Sequence, residues 1–319
     1  MTSRRAFLGA AAGALVMAGG LSRPASAAGL PGEFRIGYQK EGVLAVVKQR
    51  GGLETRLAGL GVPNVRWVEF SFGPPMMEAL GSGAIDLASV GDTPPVFAQA
   101  AGANVVYVAS TPAAENAIVV PAGSPVSSLA ELKGRKVAMA RGSSSHNFTF
   151  QALKKVGLTF DDITPVFLGQ AEASQAMGRG EVDAWAIWDP YFALAELRQG
   201  ARAIATSATH YPSNSFYLAS RVFSDRYGAL LGTVIDELRL AYVWADQNRA
   251  QAATLIAQAT GVEPAAQERT LMRLGIELKP MDEAVIAQQQ AIADVFHGLG
   301  LIARPIVVRD AVWRQSAAR

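Results

Sequence analysis

Gly142-Ser143-Ser144-Ser145-His146-Asn147 is the stretch of this chain whose residue types and spacing could do chemistry. Three hydroxyls follow a glycine where a short apolar run, Val137-Ala138-Met139-Ala140, gives way to helical spacing at Phe148, Gln151, Ala152, Lys155 and Val156. Gly157 sits where a C-terminal glycine stops a helix. A strand that enters a helix through such a turn leaves unpaired backbone N–H groups aimed at one spot, at the positive end of the helix dipole. Serine hydroxyls add donors, and Gly142 lets an oxyanion come close. The pattern predicts an anion cradle. Serine in that position also caps helices for stability alone, so the reading has to draw support from the rest of the chain.

Three other strand ends carry a related device: Gly73-Pro74, Gly91-Asp92-Thr93-Pro94 and Trp188-Asp189-Pro190. Each places proline where a helix would begin, with its fixed φ and dispensable N–H. Asp92 or Thr93, and Asp189, are natural N-caps. Several helix N-termini are therefore expected around one cleft. Trp185 and Trp188 are three apart on a strand and face opposite sides of it, so Trp185 is assigned to packing and Trp188 to the cleft wall. The histidines, His146, His210 and His297, make no pair at metal-ligand spacing, and no metal site is expected. A hydrolase triad of a cradle serine, His146 and an aspartate is disfavoured. Neighbouring residues rarely point at one another so, and G-x-S-x-G is absent. No catalytic residue is assigned.

The elements that must position these residues alternate. Strands are expected at 34–39, 65–70, 85–90 and 105–109, with helices at 43–50, from 73 through 80, and from the Thr93-Pro94-Pro95 turn to about 101. The rhythm restarts near 112, with strands at 117–120, 136–139, 163–168, 182–187 and 201–205 and helices at 127–132, 170–179 and 190–198. Such alternation implies parallel βαβ units. A return crossing at 211–215 and a strand at 216–219 rejoin the first unit. Helices at about 228–248, 249–260, 264–274 and 282–299 are expected to cover it. Two α/β units joined by two crossings suggest hinged lobes, with ligand outside the carboxyl ends of the strands.

The 319 residues, half of them hydrophobic and 18% charged, suit two packed globular lobes. Ser3-Arg4-Arg5-Ala6-Phe7-Leu8, the apolar run from Gly9 to Leu21 and Ala25-Ser26-Ala27 read as a twin-arginine export signal cleaved near Ala27. Its loss leaves 26 basic side chains of the 29 against 27 acidic, a net of −1, and no basis for a nucleic-acid partner. The absence of cysteine excludes disulfides, thiol catalysis and a lipid-anchored cysteine. A periplasmic location is expected.

Five stretches in order carry a resemblance: Ile36-Gly37-Tyr38-Gln39-Lys40; Val90-Gly91-Asp92-Thr93-Pro94-Pro95-Val96-Phe97-Ala98-Gln99-Ala100; Gly142-Ser143-Ser144-Ser145-His146-Asn147; Asp183-Ala184-Trp185-Ala186-Ile187-Trp188-Asp189-Pro190; and Ser215-Phe216-Tyr217-Leu218-Ala219. Together the chain resembles the periplasmic binding proteins of sulfonate ABC importers, within the nitrate/sulfonate/taurine group, and looks most like the aliphatic-sulfonate branch. The resemblance implies an α/β, two-lobed, type II binding-protein fold, with hinged lobes that each have a central β-sheet flanked by helices. The lobes would be 28–112 with 214–319, and 113–213, after a signal over 1–27. It implies a monomer that carries a small organic sulfonate to the transmembrane subunits of an ABC permease, without cofactor or enzyme activity. Gln39, Gly91, Asp92, Ser143 and Ser144 would line the anion end, His146 would lie close behind, and Trp188 would face the organic tail.

The chemistry is compatible. A sulfonate keeps one charge at cellular pH and only accepts hydrogen bonds, so N–H and O–H donors meet its needs without a buried cation. The Asp92 carboxylate is expected to cap the following helix while its N–H faces the ligand. Alternatives remain at this point: a sister binding protein for taurine, nitrate or a vitamin precursor, a ligand-sensing module, or an enzyme on the same fold.

Overall fold

Residues 29–314 are described by the computed structural model; the expected export signal over 1–27 and the last residues, 315–319, lie outside the described residues. The strands are β1 (Glu33–Tyr38), β2 (Asn64–Glu69), β3 (Leu87–Val90), β4 (Val105–Pro112), β5 (Asn116–Val120), β6 (Lys136–Met139), β7 (Thr164–Phe167), β8 (Ala184–Trp188), β9 (Arg202–Thr206) and β10 (Asn214–Ser220). They form two five-stranded sheets in the orders β2-β1-β3-β10-β4 and β7-β6-β8-β5-β9.

The parallel expectation holds within each βαβ unit, where β1 pairs with β2 and β3, and β6 with β7 and β8. It fails at the crossing strands. β10 runs antiparallel to β3 and β4, and β5 antiparallel to β8 and β9. The reason is direction of travel: β5 and β10 carry the chain away from the gap between the sheets, whereas their neighbours run toward it. The two crossings lie side by side, with the Ala113 N–H donating to the Ser213 carbonyl at 3.0 Å.

Each sheet is buried on both faces, so its strands read as continuous apolar runs. Along β10, Tyr217 and Ala219 join a cluster with Phe34, Leu231 and Leu238, while Phe216 and Leu218 face Met76, Tyr107 and Phe296. In the second sheet, Ile118 and Met139 pack on Phe148, and Trp185 and Ile187 on Ala173 and Phe192 of the other face. Trp185 is thus a packing residue. The helices Gly228–Gln247, Arg249–Thr260 and Glu283–Gly298 cover the first sheet. Their boundaries match the apolar periodicity to within a residue or so. Three helices outside the sequence reading are Gly52–Gly59, Ser207–His210 and Arg221–Arg226. The tail after Arg304 makes a short 3-10 turn, Val308–Ala311, and Val312 bridges to Tyr107.

Candidate functional site

Six helices begin at the carboxyl edges of the two sheets: Val43–Arg50, Gly73–Gly81 and Thr93–Ala100 in the first lobe, Ser144–Lys155, Gln170–Gly178 and Tyr191–Gln199 in the second. Their N-termini converge on the interlobe gap, where α/β sheets take ligands. The lobes stand closed on one another. Asn147 Nδ2 of the second lobe donates to Asp92 Oδ2 of the first at 2.9 Å, and the His146 ring lies 6.1 Å from that of Phe296.

At the cradle, Gly142 takes φ +72°, a left-handed turn that a side chain would strain, and Ser143 is the extended N-cap of the helix that starts at Ser144. His146 and Asn147 donate back to the Ser143 carbonyl at 3.1 and 3.3 Å. Among the described residues no carbonyl accepts from the N–H groups of Ser144 or Ser145. These two amides are the open donors of the helix end. The Ser143 hydroxyl is not: it donates to the Ala140 carbonyl at 2.7 Å, with Ser145 Oγ at 2.9 Å, and so ties the turn together. Ser143 therefore contributes geometry where a hydroxyl donor was expected.

His146 lies behind the turn. Its Nδ1 accepts from the Gly142 N–H at 3.3 Å, and its ring packs against Phe160 and Phe167. Burial, with Arg141 nearby, pushes its pKa down to about 4, so the ring is a neutral acceptor at ordinary pH. Its Nδ1 is engaged with the backbone N–H of Gly142 and is not paired with a serine.

Ser144 faces the first lobe. A methyl carbon built on Gly91 would lie 3.1 Å from Ser144 Cβ and 3.3 Å from its Oγ, so any side chain there crowds the meeting of the lobes and the neighbour must give by a few tenths of an ångström. The Ser144 hydroxyl donates to Asn116 Oδ1 at 3.2 Å. Asn116 is paired directly opposite Trp188 across β5 and β8, which places both side chains on one face of the sheet. Trp188 is buried, its ring edge-on to Tyr191 at 6.1 Å. Gln39 donates to the Ser89 carbonyl at 3.4 Å and lines a cavity of about 40 Å³ shared with Glu41, Thr111, Tyr217 and Tyr242.

Asp92 departs from expectation. Its own φ and ψ are already helical, −63° and −38°, so its carboxylate does not cap the following helix. It accepts instead from the Thr93 hydroxyl at 2.8 Å and from Asn147 across the gap. The C-terminal helices, to which no site residue was assigned, also reach the cleft. Gln289 donates to the Asp92 carbonyl at 2.6 Å, and Arg273 lies 3.5 Å from Asp189. Asp189 Oδ1 accepts from the Ala193 N–H and so performs the predicted cap, although the helix itself begins after Pro190.

Three interlobe carboxyls are held above their ordinary range, chiefly by burial: Asp92 and Asp189 at about 6 and Glu41 at about 8, with Asp189 adding to the rise at Glu41. Groups whose folded pKa is raised favour the folded, closed form below the unfolded pKa and lose that contribution as pH rises through the folded value. Between pH 5 and pH 8 the thermal midpoint of the ligand-free protein should therefore fall by about a few degrees. Glu41→Gln should remove the part lost above pH 6. An unchanged midpoint profile in that variant would show that Glu41 ionises freely in the native state.

Residues 69–232 match the NMT1/THI5-like family. A protein of Escherichia coli K12 named for binding aliphatic sulfonates is 40% identical over 288 residues, covering 89% of each chain. The solved alkanesulfonate-binding protein SsuA from Xanthomonas axonopodis pv. citri, bound to MOPS, superposes with a TM-score of 0.83 at 40% identity, over 90% of this chain and all of that one. The periplasmic aliphatic sulphonate binding protein SsuA of E. coli gives 0.81 at 38% identity, over 91% and 94%.

Proposed function

Because the chain belongs to the NMT1/THI5-like family, among its aliphatic-sulfonate-binding members, we propose that it captures aliphatic sulfonates between its lobes and delivers them to an ABC permease for sulfur acquisition. The observation that carries this reading is the pair of open amides, Ser144 and Ser145, at a helix N-terminus pressed against Gly91 of the opposite lobe. A sulfonate fits there: three acceptor oxygens, one permanent charge, and a helix dipole of the matching sign. Gln39, Gly91, Asp92, Ser143, Ser144, His146 and Trp188 are the residues assigned to the site. The Ser144 hydroxyl would turn from Asn116 to the ligand, and Trp188 would border the organic tail.

The lobes, 28–112 with 214–319 and 113–213, would hinge at the paired crossings. A ligand that binds both lobes favours the closed form, and the permease would read that form. Close relatives are named as binding proteins rather than enzymes. Export to the periplasm through the twin-arginine signal over 1–27, and action as a monomer, belong to the same proposal.

A thermal-shift panel of alkanesulfonates with nitrate and taurine tests the ligand class. Stabilisation by alkanesulfonates above the other two is the expected result, and stabilisation by nitrate alone would replace it. Ser144→Ala should weaken alkanesulfonate binding several-fold or more in calorimetry, since a hydrogen bond to a charged group contributes about 1.5–3 kcal/mol. Unaltered affinity would remove the Ser144 hydroxyl from the site.

A further inference from the structure

Gln170 opens the helix Gln170–Gly178, immediately beyond the strand β7 that pairs with the cradle strand β6. The residue is only 6% exposed, yet both its Oε1 and its Nε2 are buried without a hydrogen-bond partner among the described residues. A buried primary amide with neither end paired is an unusual arrangement, because desolvation is suffered twice and nothing offsets it. It also lines a groove of about 560 Å³ that runs between the lobes. Ser71 and Phe72 of the first lobe form one wall, with Ala140, Phe167 and Tyr191 of the second opposite. Arg141 lies at this groove with its guanidinium 3.7 Å over the Phe167 ring, so its charge is spread on an aromatic face. The groove begins at Ala140 and Arg141, the residues that lead into Gly142 and the cradle serines. Its size is that of an ordinary small-molecule site.

We infer that this groove holds the organic tail of the sulfonate and that Gln170 selects tails carrying a group able to both donate and accept a hydrogen bond, such as a hydroxyl. The inference rests on the sulfonate reading and adds a substrate preference to it. Phe72, Phe167 and Ala140 supply apolar contact along the tail. The Gln170 amide, covered in the closed and empty protein, pairs with the polar group once a ligand occupies the groove. A plain alkyl chain of the same length leaves both ends of the amide unpaired, and that is how a buried polar group discriminates against an isostere lacking the partner atom.

The test compares 4-hydroxybutane-1-sulfonate with pentane-1-sulfonate, which differ by a hydroxyl in place of a methyl, by calorimetry on the full mature chain. Wild type should bind the hydroxyl-bearing ligand about tenfold or more tightly than the alkyl one. Gln170→Met conserves volume and removes the amide; it should abolish or reverse that preference while binding pentanesulfonate at least as well as wild type. Gln170→Leu should behave alike, and an unfolding midpoint no lower than that of wild type in either variant shows that the site is intact. Equal wild-type affinities for the two ligands, or an equal loss for both in the variants, would overturn the assignment of Gln170 while the sulfonate reading stands. Failure of wild type to bind any sulfonate would overturn both.

Discussion

Gly91→Val should reduce sulfonate affinity by about a hundredfold or more while the protein keeps its fold. The first added carbon alone would lie 3.1 Å from Ser144 Cβ, and that atom is fixed to the first residue of a helix and cannot swing aside. The two γ carbons of valine reach farther still, into the same helix end. No positive φ is required at Gly91, so valine does not strain the first lobe itself. The collision exists only when the lobes meet. Apparent affinity scales with the fraction of protein able to adopt the binding-competent form, so a closed-state penalty of about 3 kcal/mol appears as a loss of about two decades. Gly91→Ala serves as the graded control. Its single carbon demands a shift of a few tenths of an ångström, and a loss of a few-fold is expected. Calorimetry with pentanesulfonate beside a thermal melt separates closure from folding. Wild-type affinity in Gly91→Val would mean that ligand is held without the contact between Gly91 and Ser144.

What the sequence made legible was whatever is written locally. The turn at Gly142, the helix after it, and the strand–helix rhythm each depend on residues within a few positions of one another, and they lie where the spacing puts them. Even the return of β10 to the first sheet could be read, because the Tyr211-Pro212-Ser213-Asn214-Ser215 crossing is followed by the short apolar run over 216–219. Contacts between distant segments were not legible. Asn116 falls just before the strand expected at 117–120, and nothing near it in sequence announces the Ser144 hydroxyl on its Oδ1. Gln289 sits among other glutamines on an amphipathic helix, where one polar residue is like the next until the fold brings it to the Asp92 carbonyl. Asp92 itself misled because aspartate before Thr-Pro reads as a cap. A helical backbone at that residue turned its carboxylate across the gap. Ser143 misled likewise, since a hydroxyl in a cradle can bond the turn as readily as the ligand. Gln170 carried no signal at all; only its burial without partners marks it.

Arg273 is the strongest case of a distant contact with a functional consequence. Arg273→Met is expected to weaken sulfonate binding about thirtyfold at pH 7.5. Its guanidinium lies 4.0 Å over the Phe192 ring, bonds Glu196, and stands 3.5 Å from Asp189. Arg269 adds a second bond to Glu196 at 3.2 Å, and Arg198 pairs with Glu263 at 3.0 Å, so the helix Pro264–Arg273 and its leading turn fasten to the second-lobe helix Tyr191–Gln199. Most of these pairs are partly solvated and contribute little singly. Asp189 differs, because its carboxyl is fully buried and Arg273 is the cation that opposes the effect of burial on it. Removing the arginine strands that charge in the closed form, the one in which Arg273 of the first lobe reaches Asp189 of the second. For a buried carboxylate whose partner is itself partly exposed the cost is about 2 kcal/mol, below the range for fully buried pairs, which converts to the thirtyfold loss. The sign of the pH effect distinguishes this account from simple loss of packing. Asp189 is raised to about 6 with Arg273 present and rises further without it, so protonation relieves the stranded charge. The deficit of Arg273→Met relative to wild type should therefore shrink as pH falls from 7.5 to 5, and Asp189→Asn in the same background should recover most of the affinity at pH 7.5. A deficit that is the same at both pH values, or that Asp189→Asn leaves untouched, would show that Arg273 acts through its contact with Phe192 and not through the buried carboxylate.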